Sequence, residues 1–496
     1  MSANTKKIAK QSLFYVSLGF LPVAANLVIA PIFTRYLSKE EYAILAIAAI
    51  FQGYVSVLIH LGFNGAFSRF FFKYYTKPKL YKALYSTTLI FILGFSSILG
   101  SILYLFGDEI FKVFFENSDI FTFSKYGFIV YATAVLVIFQ TISLALYRNA
   151  EQLKPYAFIA IFAFVGMSAG SIIGVVIYQA GAYGSLLGKL VGLSSVIIPY
   201  LLFFFIKNKP IIRLSFIKEM FSFALPLVPY ALLGVVLTYL DKQLGERFLS
   251  LDQLGFYNVA FLIASVPSIF IFAAQSTINP SVFKGLEKYK LTKDKTELQD
   301  IKTLFTYYFI FILIIFSVLI ALIVPASNLI LGDEFKAVSN YIPLLSIAYI
   351  FRAYYVIYAI PIFFEKKTKF LPVINLVTVA IAFTIGYYII PIYGLLGLCI
   401  TFITVMGTQL SMAYYFMRRM KWKEASVFNL NKFHLVFLFL IILISASYLV
   451  LDSSFSITAG YLNLVVVSVT LLLSLWLWRQ QFQKAISVLK RKINFN

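Results

Sequence analysis

Arg35-Tyr36-Leu37-Ser38-Lys39-Glu40-Glu41 joins one long apolar run to the next, and Arg247-Phe248-Leu249-Ser250-Leu251-Asp252-Gln253 does the same 212 positions later. In the ungapped alignment of 35–48 with 247–260, four of fourteen positions are identical (Arg, Leu, Ser, Ala) and four more are close in chemistry. One polar turn between two apolar runs, repeated at the same depth in two halves of a chain, predicts a helical membrane protein built by duplication.

Apolar runs dominate the chain. Of 496 residues, 61% are hydrophobic and 12% charged, with a mean hydropathy of +0.89. No soluble domain hides that much apolar surface, so the solvent must largely be lipid. About fourteen runs recur near 12–34, 41–63, 83–106, 123–146, 155–178, 184–206, 219–240, 255–278, 303–325, 338–363, 370–390, 394–417, 433–451 and 458–478. Each is long enough to cross ~30 Å of hydrocarbon as a helix. Pro22, Pro226, Pro229, Pro267 and Pro343 fall inside runs, where a lipid-embedded helix tolerates proline and often kinks.

The chain carries 42 Lys and Arg against 20 Asp and Glu, a net charge of +22. Most of the basic residues lie in alternate connections: Lys6–Lys10, Arg69–Lys82, Arg148–Lys154, Lys207–Lys218, Lys284–Lys302, Lys366–Lys369, Arg418–Lys432 and the tail from Arg479. The positive-inside rule makes these cytoplasmic, which puts both termini in the cytoplasm and requires an even number of spans. The basic excess is then topology. No folded basic domain remains to grip a duplex, so nucleic acid is excluded as a partner. Anionic lipid head groups suit the same fringe, and membrane lipids are expected partners. The basic start followed by an apolar run has the outline of a signal peptide. The run is too long and lacks a small-residue cleavage site, so a retained first helix is expected. Cys399, the single cysteine, lies inside an apolar run, which excludes disulfides and thiolate metal clusters.

Connections are short. The longest polar piece, 284–302, alternates Lys with acidic residues and reads either as a surface helix continuing into the ninth run or as a solvated linker. The largest outer connection, about 107–122, carries Asp108, Glu109, Glu116 and Asp119. No loop is large enough for a separate domain. A second echo relates Ala182-Tyr183-Gly184-Ser185-Leu186-Leu187-Gly188 to Ile392-Tyr393-Gly394-Leu395-Leu396-Gly397, and a tight Gly turn is expected to start the next span in both. The expected fold is an all-α polytopic membrane protein of about 14 transmembrane helices, with two pseudo-symmetric six-helix bundles plus two C-terminal helices. The bundles are residues 1–212 and 213–420, and 421–496 holds the two extra helices and a cytoplasmic tail. Bundles with an even number of spans are related by an axis along the membrane normal.

Three stretches carry a family resemblance. Pro31-Ile32-Phe33-Thr34-Arg35-Tyr36-Leu37-Ser38-Lys39-Glu40-Glu41-Tyr42 resembles the first hairpin of the polysaccharide-transport (O-antigen/lipid-linked oligosaccharide flippase) family. Leu61-Gly62-Phe63-Asn64-Gly65-Ala66-Phe67-Ser68-Arg69 is similar to the end of that family's second span. Asp241 to Ser250, through Gly255-Phe256-Tyr257, is similar to its most recognisable stretch, and the Lys366-Lys367-Thr368 and Tyr393-Gly394 turns also fit. Ala43 departs from the family's usual Gly. The family sits in the multidrug/oligosaccharidyl-lipid/polysaccharide exporter superfamily with multidrug antiporters and peptidoglycan-precursor flippases. The resemblance implies a multi-pass protein of a bacterial inner membrane. It implies a flippase that moves polyprenyl-diphosphate-linked oligosaccharide from the cytoplasmic to the outer leaflet by alternating access, for O-antigen, lipopolysaccharide or related surface polysaccharide. A polysaccharide polymerase and chain-length machinery are its expected partners, with no cofactor and no metal.

Moving a diphosphate-linked glycan through hydrocarbon requires a wet cavity and cations. Arg352 lies mid-run in the tenth span, with Tyr349 and Tyr355 three residues to either side and roughly on its face. An Arg at mid-bilayer costs at least ~2.5–3.5 kcal/mol on insertion scales, so it should face an internal cavity, and its planar fork suits phosphate. The alternative is a structural Arg bonded to carbonyls of a neighbouring helix. Arg35 and Arg247, the repeat-related pair, either flank an outer mouth or snorkel and anchor their turns. Arg69 is a head-group contact at the inner side or ordinary positive-inside charge, and Lys189 is a second intramembrane cation. For ion coupling the candidates are Asp241 and His60. Asp241 binds a cation or proton, or belongs to local pairing in which Lys242 and Glu246 stand at i,i+4. His60 titrates near neutrality or is simply hydrogen-bonded. Asn26 and Gln140 line the cavity or hold helices together.

Gly184–Lys189 has the wrong spacing for a phosphate loop and no soluble strand–helix context. No HExxH motif or nucleophile elbow appears, and the protein is not expected to be an enzyme. Two other functions fit the same architecture. A cation-coupled multidrug or metabolite antiporter would want an acidic intramembrane site, whereas the interior charges are mostly basic. A membrane polysaccharide polymerase would want a larger outer loop.

Overall fold

The computed structural model describes residues 14, 18, 28–320, 324–420, 437 and 441. Every regular element among them is helical. After a helical stretch at 28–36 come α1 (Lys39–His60), α2 (Phe63–Tyr74), α3 (Pro78–Phe114), α4 (Phe128–Asn149), α5 (Leu153–Ile172), α6 (Gly181–Lys207), α7 (Leu214–Ala224) and α8 (Val228–Phe248). They are followed by α9 (Leu251–Ala264), α10 (Val266–Thr292), α11 (Lys295–Val318), α12 (Val324–Ile330), α13 (Ile342–Phe364), α14 (Phe370–Tyr393) and α15 (Leu395–Arg419). Eleven stretches among the described residues are long and apolar enough to span a membrane. They correspond to the second through twelfth apolar runs. The thirteenth and fourteenth runs, most of the first, Pro22 and Asn26 lie outside the described residues. The protein is thus an all-helical, multi-pass membrane protein, as the composition requires.

Several turns have a clear local cause. α1 starts with a capping box: the Glu41 N–H donates to Ser38 Oγ at 3.2 Å, and the Ser38 N–H donates to Glu41 Oε2 at 2.9 Å. α9 starts the same way, with the Gln253 N–H on Ser250 Oγ and the Ser250 N–H on Gln253 Oε1, both at 3.4 Å. The repeated Ser-x-x-Glu/Gln pattern is therefore a pair of helix N-caps. α1 breaks from α2 at Leu61 (φ 44°) and Gly62 (φ 76°), where the Gly62 N–H donates to His60 Nδ1 at 2.9 Å.

The expected glycine turns shift. Gly184 lies inside α6, and the left-handed glycine is Gly181 (φ 57°), the first residue of that helix. Its counterpart is Gly394 (φ 55°), one residue before α15. The echo of Tyr183-Gly184 in Tyr393-Gly394 is thus a coincidence of letters, three residues out of step with the backbone. Pro226 and Pro229 lie at the three-residue 3-10 break between α7 and α8, and Pro267 lies just after the break between α9 and α10, all within continuous helical stretches. Pro343 sits in the first turn of α13, where the missing N–H has no intrahelical partner to lose. Pro199, Pro280, Pro361 and Pro391 are the ones inside helices. The polar piece 284–302 is helical on both sides of a two-residue turn. Asp294 caps α11 by accepting the Thr296 N–H at 2.9 Å, and that bond holds its carboxyl below the ordinary range.

Two compact units divide the chain. One comprises 1–259, 332–334 and 386–398. Within it α4 packs against α1, α2, α3, α5 and α6, around buried rings such as Phe51, Phe111, Phe121 and Phe123. Its closest helix pair is α5 with α6. Gly166, Gly170 and Gly174 face Gly192, Gly188 and Gly184, and a Cβ on any of the six would overlap backbone of the opposite glycine. This is small-xxx-small packing extended over three layers. The other unit comprises 260–331, 335–385 and 399–496. Within it α10 pairs with α11 and packs against α13. Lys288 pairs with Glu297, and Lys290 reaches Glu365 at 2.9 Å.

Candidate functional site

The tenth run becomes α13, whose apolar window is 72% buried. Arg352 sits half-buried near its middle. The guanidinium lies 5.0 Å from the ring centre of Tyr355, a cation–π distance. The two hydroxyl-bearing rings expected on its face divide: Tyr355 stacks on Arg352, while Tyr349 is buried with its ring 5.5 Å from that of Phe402. Tyr308 of α11 donates its hydroxyl to the Ala353 carbonyl at 3.0 Å. No carboxylate pairs with Arg352 among the described residues. An uncompensated guanidinium beside aromatic rings is chemically a receptor for an oxyanion or a sugar face.

Every other candidate belongs to the first compact unit. Arg35 and Arg247 are exposed in their turns, which the Ser38/Glu41 and Ser250/Gln253 caps help to close. The caps reach further. Glu41 Oε1 also accepts the Ala182 N–H at 3.3 Å beside Gly181, and Gln253 Nε2 lies 3.9 Å from the position a Cβ on Gly394 would take. Glutamate and glutamine thus each lie beside the left-handed glycine of their half, Glu41 with a hydrogen bond there. The two turns also meet: a Cβ on Gly255 would overlap the Lys39 carbonyl, and Asn258 Nδ2 donates to the Tyr42 carbonyl at 3.4 Å. Gly255 aligns with Ala43, which is fully buried.

Arg69 is exposed on α2 with its guanidinium 4.4 Å from the Phe223 ring centre. Lys189 is half-buried in α6, next to Gly188, and pairs with no carboxylate among the described residues. His60 accepts an N–H at Nδ1 and closes the α1–α2 break. Asp241 is buried and accepts the Tyr257 hydroxyl at 2.5 Å. The expected Lys242–Glu246 pairing is replaced. Glu246, also buried, accepts the N–H groups of Glu116 and Asn117 at 3.1 and 2.7 Å, and Asn117 Nδ2 at 3.1 Å. The carboxylate thus organises the 115–121 turn, because two backbone donors there have no helical partner of their own. Gln140 is half-buried in α4.

Sequence reasoning missed a cavity of about 730 Å³ between the starts of α3 and α5 and the C-terminal halves of α4 and α6. It also missed the buried hydroxyl chain beside it. Tyr85 bonds Ser143 at 2.6 Å and Tyr200 at 3.3 Å, and Tyr200 donates to Tyr147 at 3.1 Å. The glycine spacing i, i+4 in 166–174 and 184–192 was a readable signal of the adjoining close packing; the hydroxyl chain had none.

A family model described as polysaccharide biosynthesis protein matches residues 8–286. No curated protein matches the chain. Among solved structures, the chain is similar to one titled lipid II flippase MurJ, inward closed conformation, at TM-score 0.69 and 14% identity, covering 95% of this chain and 99% of that one. It is also similar to an inward-facing multidrug resistance MATE family transporter of the MOP superfamily, at TM-score 0.63 and 12% identity, covering 85% and 96%. A MOP superfamily transporter from Pyrococcus furiosus, whose title describes a binding pocket of reversed polarity, matches at TM-score 0.51 and 12% identity, covering 84% and 96%.

Proposed function

The chain belongs to the polysaccharide biosynthesis protein family, and from that premise we propose that it is a flippase for polyprenyl-diphosphate-linked oligosaccharide, carrying the head group to the outer leaflet for surface polysaccharide assembly. The observation that carries this reading is Arg352: a guanidinium in a largely buried, membrane-spanning helix, backed by Tyr355 and unpaired by any carboxylate among the described residues. Such a group calls for water, backbone carbonyls or an anionic guest beside it. A lipid-linked sugar brings both a diphosphate for the fork and sugar faces for the tyrosine.

On this reading the two six-helix halves, 1–212 and 213–420, alternate access to the site in a bacterial inner membrane with both termini cytoplasmic. Lys189 is a second cation along the path. Arg35, Arg247 and Arg69 act on head groups near the membrane faces, and a polymerase with chain-length machinery takes up the exported unit. Asp241 and His60 are the groups to test for ion coupling, although each already has a hydrogen-bond partner in its own unit. Bond-making chemistry is not part of the proposal.

The decisive test replaces Arg352 by Ala and by Lys in cells that depend on this protein for surface polysaccharide. The expected result for Arg352→Ala is normal membrane insertion, loss of the polysaccharide and build-up of lipid-linked precursor. Arg352→Lys, which keeps charge but loses the fork, should restore only part of export. Full export by Arg352→Ala would remove the residue from the mechanism. The MATE-like fold supports a second reading, a cation-coupled drug or metabolite antiporter. Efflux of cationic dyes that survives in Arg352→Ala and fails in Asp241→Asn would favour it.

A further inference from the structure

The cavity bounded by α3, α4, α5 and α6 has the construction of a lipid site. Its polar end holds Lys82, Lys207 and Asn208, with Lys82 Nζ donating to Asn208 Oδ1 at 2.9 Å. These residues lie at the ends of the basic connections that the charge bias assigns to the cytoplasm. The other wall is apolar and open: Phe158, Phe162 and Phe203 all line the cavity and are 52%, 51% and 64% exposed. In a membrane-spanning helix, exposed phenyl rings meet acyl chains. Tyr147 and Tyr200 also line it, the Tyr200 hydroxyl donating to that of Tyr147 at 3.1 Å. A further acceptor comes from the helix itself, because Pro199 has no N–H for the Ser195 carbonyl and both residues line the cavity. No carboxylate lines it among the described residues.

We propose that this cavity binds an anionic phospholipid of the surrounding membrane, its phosphate on Lys82 and Lys207 and one acyl chain against Phe158, Phe162 and Phe203. Two lysines without a carboxylate select negative charge, the phenyl wall selects a chain, and about 730 Å³ is within the range that holds a small ligand. The site lies wholly within the first compact unit and does not include Arg352. It rests on the orientation read from the basic connections, and not on the flippase reading.

Phe203→Trp places a reporter at the lip of the cavity. The full-length variant is reconstituted in phosphatidylcholine nanodiscs with low mole fractions of brominated-chain phosphatidylglycerol or brominated-chain phosphatidylcholine, and fluorescence is read as the difference from the parent chain. Selective quenching by the brominated phosphatidylglycerol is expected. In Lys82→Ala/Lys207→Ala the mole fraction for half-quenching should rise roughly thirtyfold, the effect of removing two interfacial lysines. Equal quenching by both lipids, or unchanged selectivity in the double variant, overturns the proposal. Loss of selectivity on adding millimolar inorganic phosphate would also overturn it, by making the site one for free anions. A double variant that fails to fold is replaced by Lys82→Gln alone, for which unchanged selectivity again refutes the lysine contact. Dye or glycan transport is not read at any step, so failure here leaves the proposed function standing, and the reverse.

Discussion

At the scale of single residues, the interior charges sort by whether a partner is present. Asp241 and Glu246 are buried and satisfied, Asp241 by Tyr257 and Glu246 by the 116–117 backbone. Arg352 and Lys189 are half-buried and find no carboxylate among the described residues. Sequence spacing placed Arg352 beside Tyr355 but sent Glu246 to Lys242, because i,i+4 reach on one helix says nothing about donors arriving from another segment. Glu246→Ala leaves those backbone donors without their acceptor, a loss of about 1–3 kcal/mol for an unsatisfied buried group. A lower Tm in detergent should show it, with protease cleavage near Asn117 as a local signature. Glu246→Gln keeps an acceptor and should lose less; equal stability of the Ala variant and the parent chain would remove the anchoring role.

At the scale of elements, glycine does two different jobs. Gly181 and Gly394 supply left-handed backbone at the starts of α6 and α15, a conformation that costs a residue with a Cβ. Gly184, Gly188 and Gly192 are ordinary helical residues whose missing side chains let α6 reach the backbone of α5. Gly188→Leu should separate that pair, because a side chain there meets backbone, which cannot rotate away. Overpacking of this kind costs about 1–3 kcal/mol or more, visible as reduced Tm and yield of folded protein. A fully stable Gly188→Leu protein would contradict the close approach. The paired capping boxes show how a four-letter echo can be physical: Ser38/Glu41 and Ser250/Gln253 survived in both copies of the turn with the same hydrogen bonds.

At the scale of the molecule, the fold is shared with flippases and MATE transporters at identities of 12–14%, which carries architecture but not substrate. The membrane orientation belongs to this scale and has a direct test. Lys209 and Asp119 are exposed, and the native Cys399 is fully buried, so the chain supplies its own quiet background for labelling. A cysteine at position 119 should react with a membrane-impermeant maleimide in intact cells. One at position 209 should react only after the membrane is opened. The opposite pattern would invert the topology.

Residue chemistry in one dimension was enough to establish a lipid-embedded helical protein, the number and place of the runs that became eleven described spans, the likeness of the two turns and the candidacy of Arg352. These follow from hydropathy and local hydrogen bonding, which depend on neighbours in the chain. Which glycine turns and which packs, which N–H groups Glu246 accepts, and that a phenyl-lined cavity opens beside Lys82 and Lys207 were decided only by tertiary structure. Each depends on backbone brought close from distant positions, and the energy of that approach is not written in any one segment.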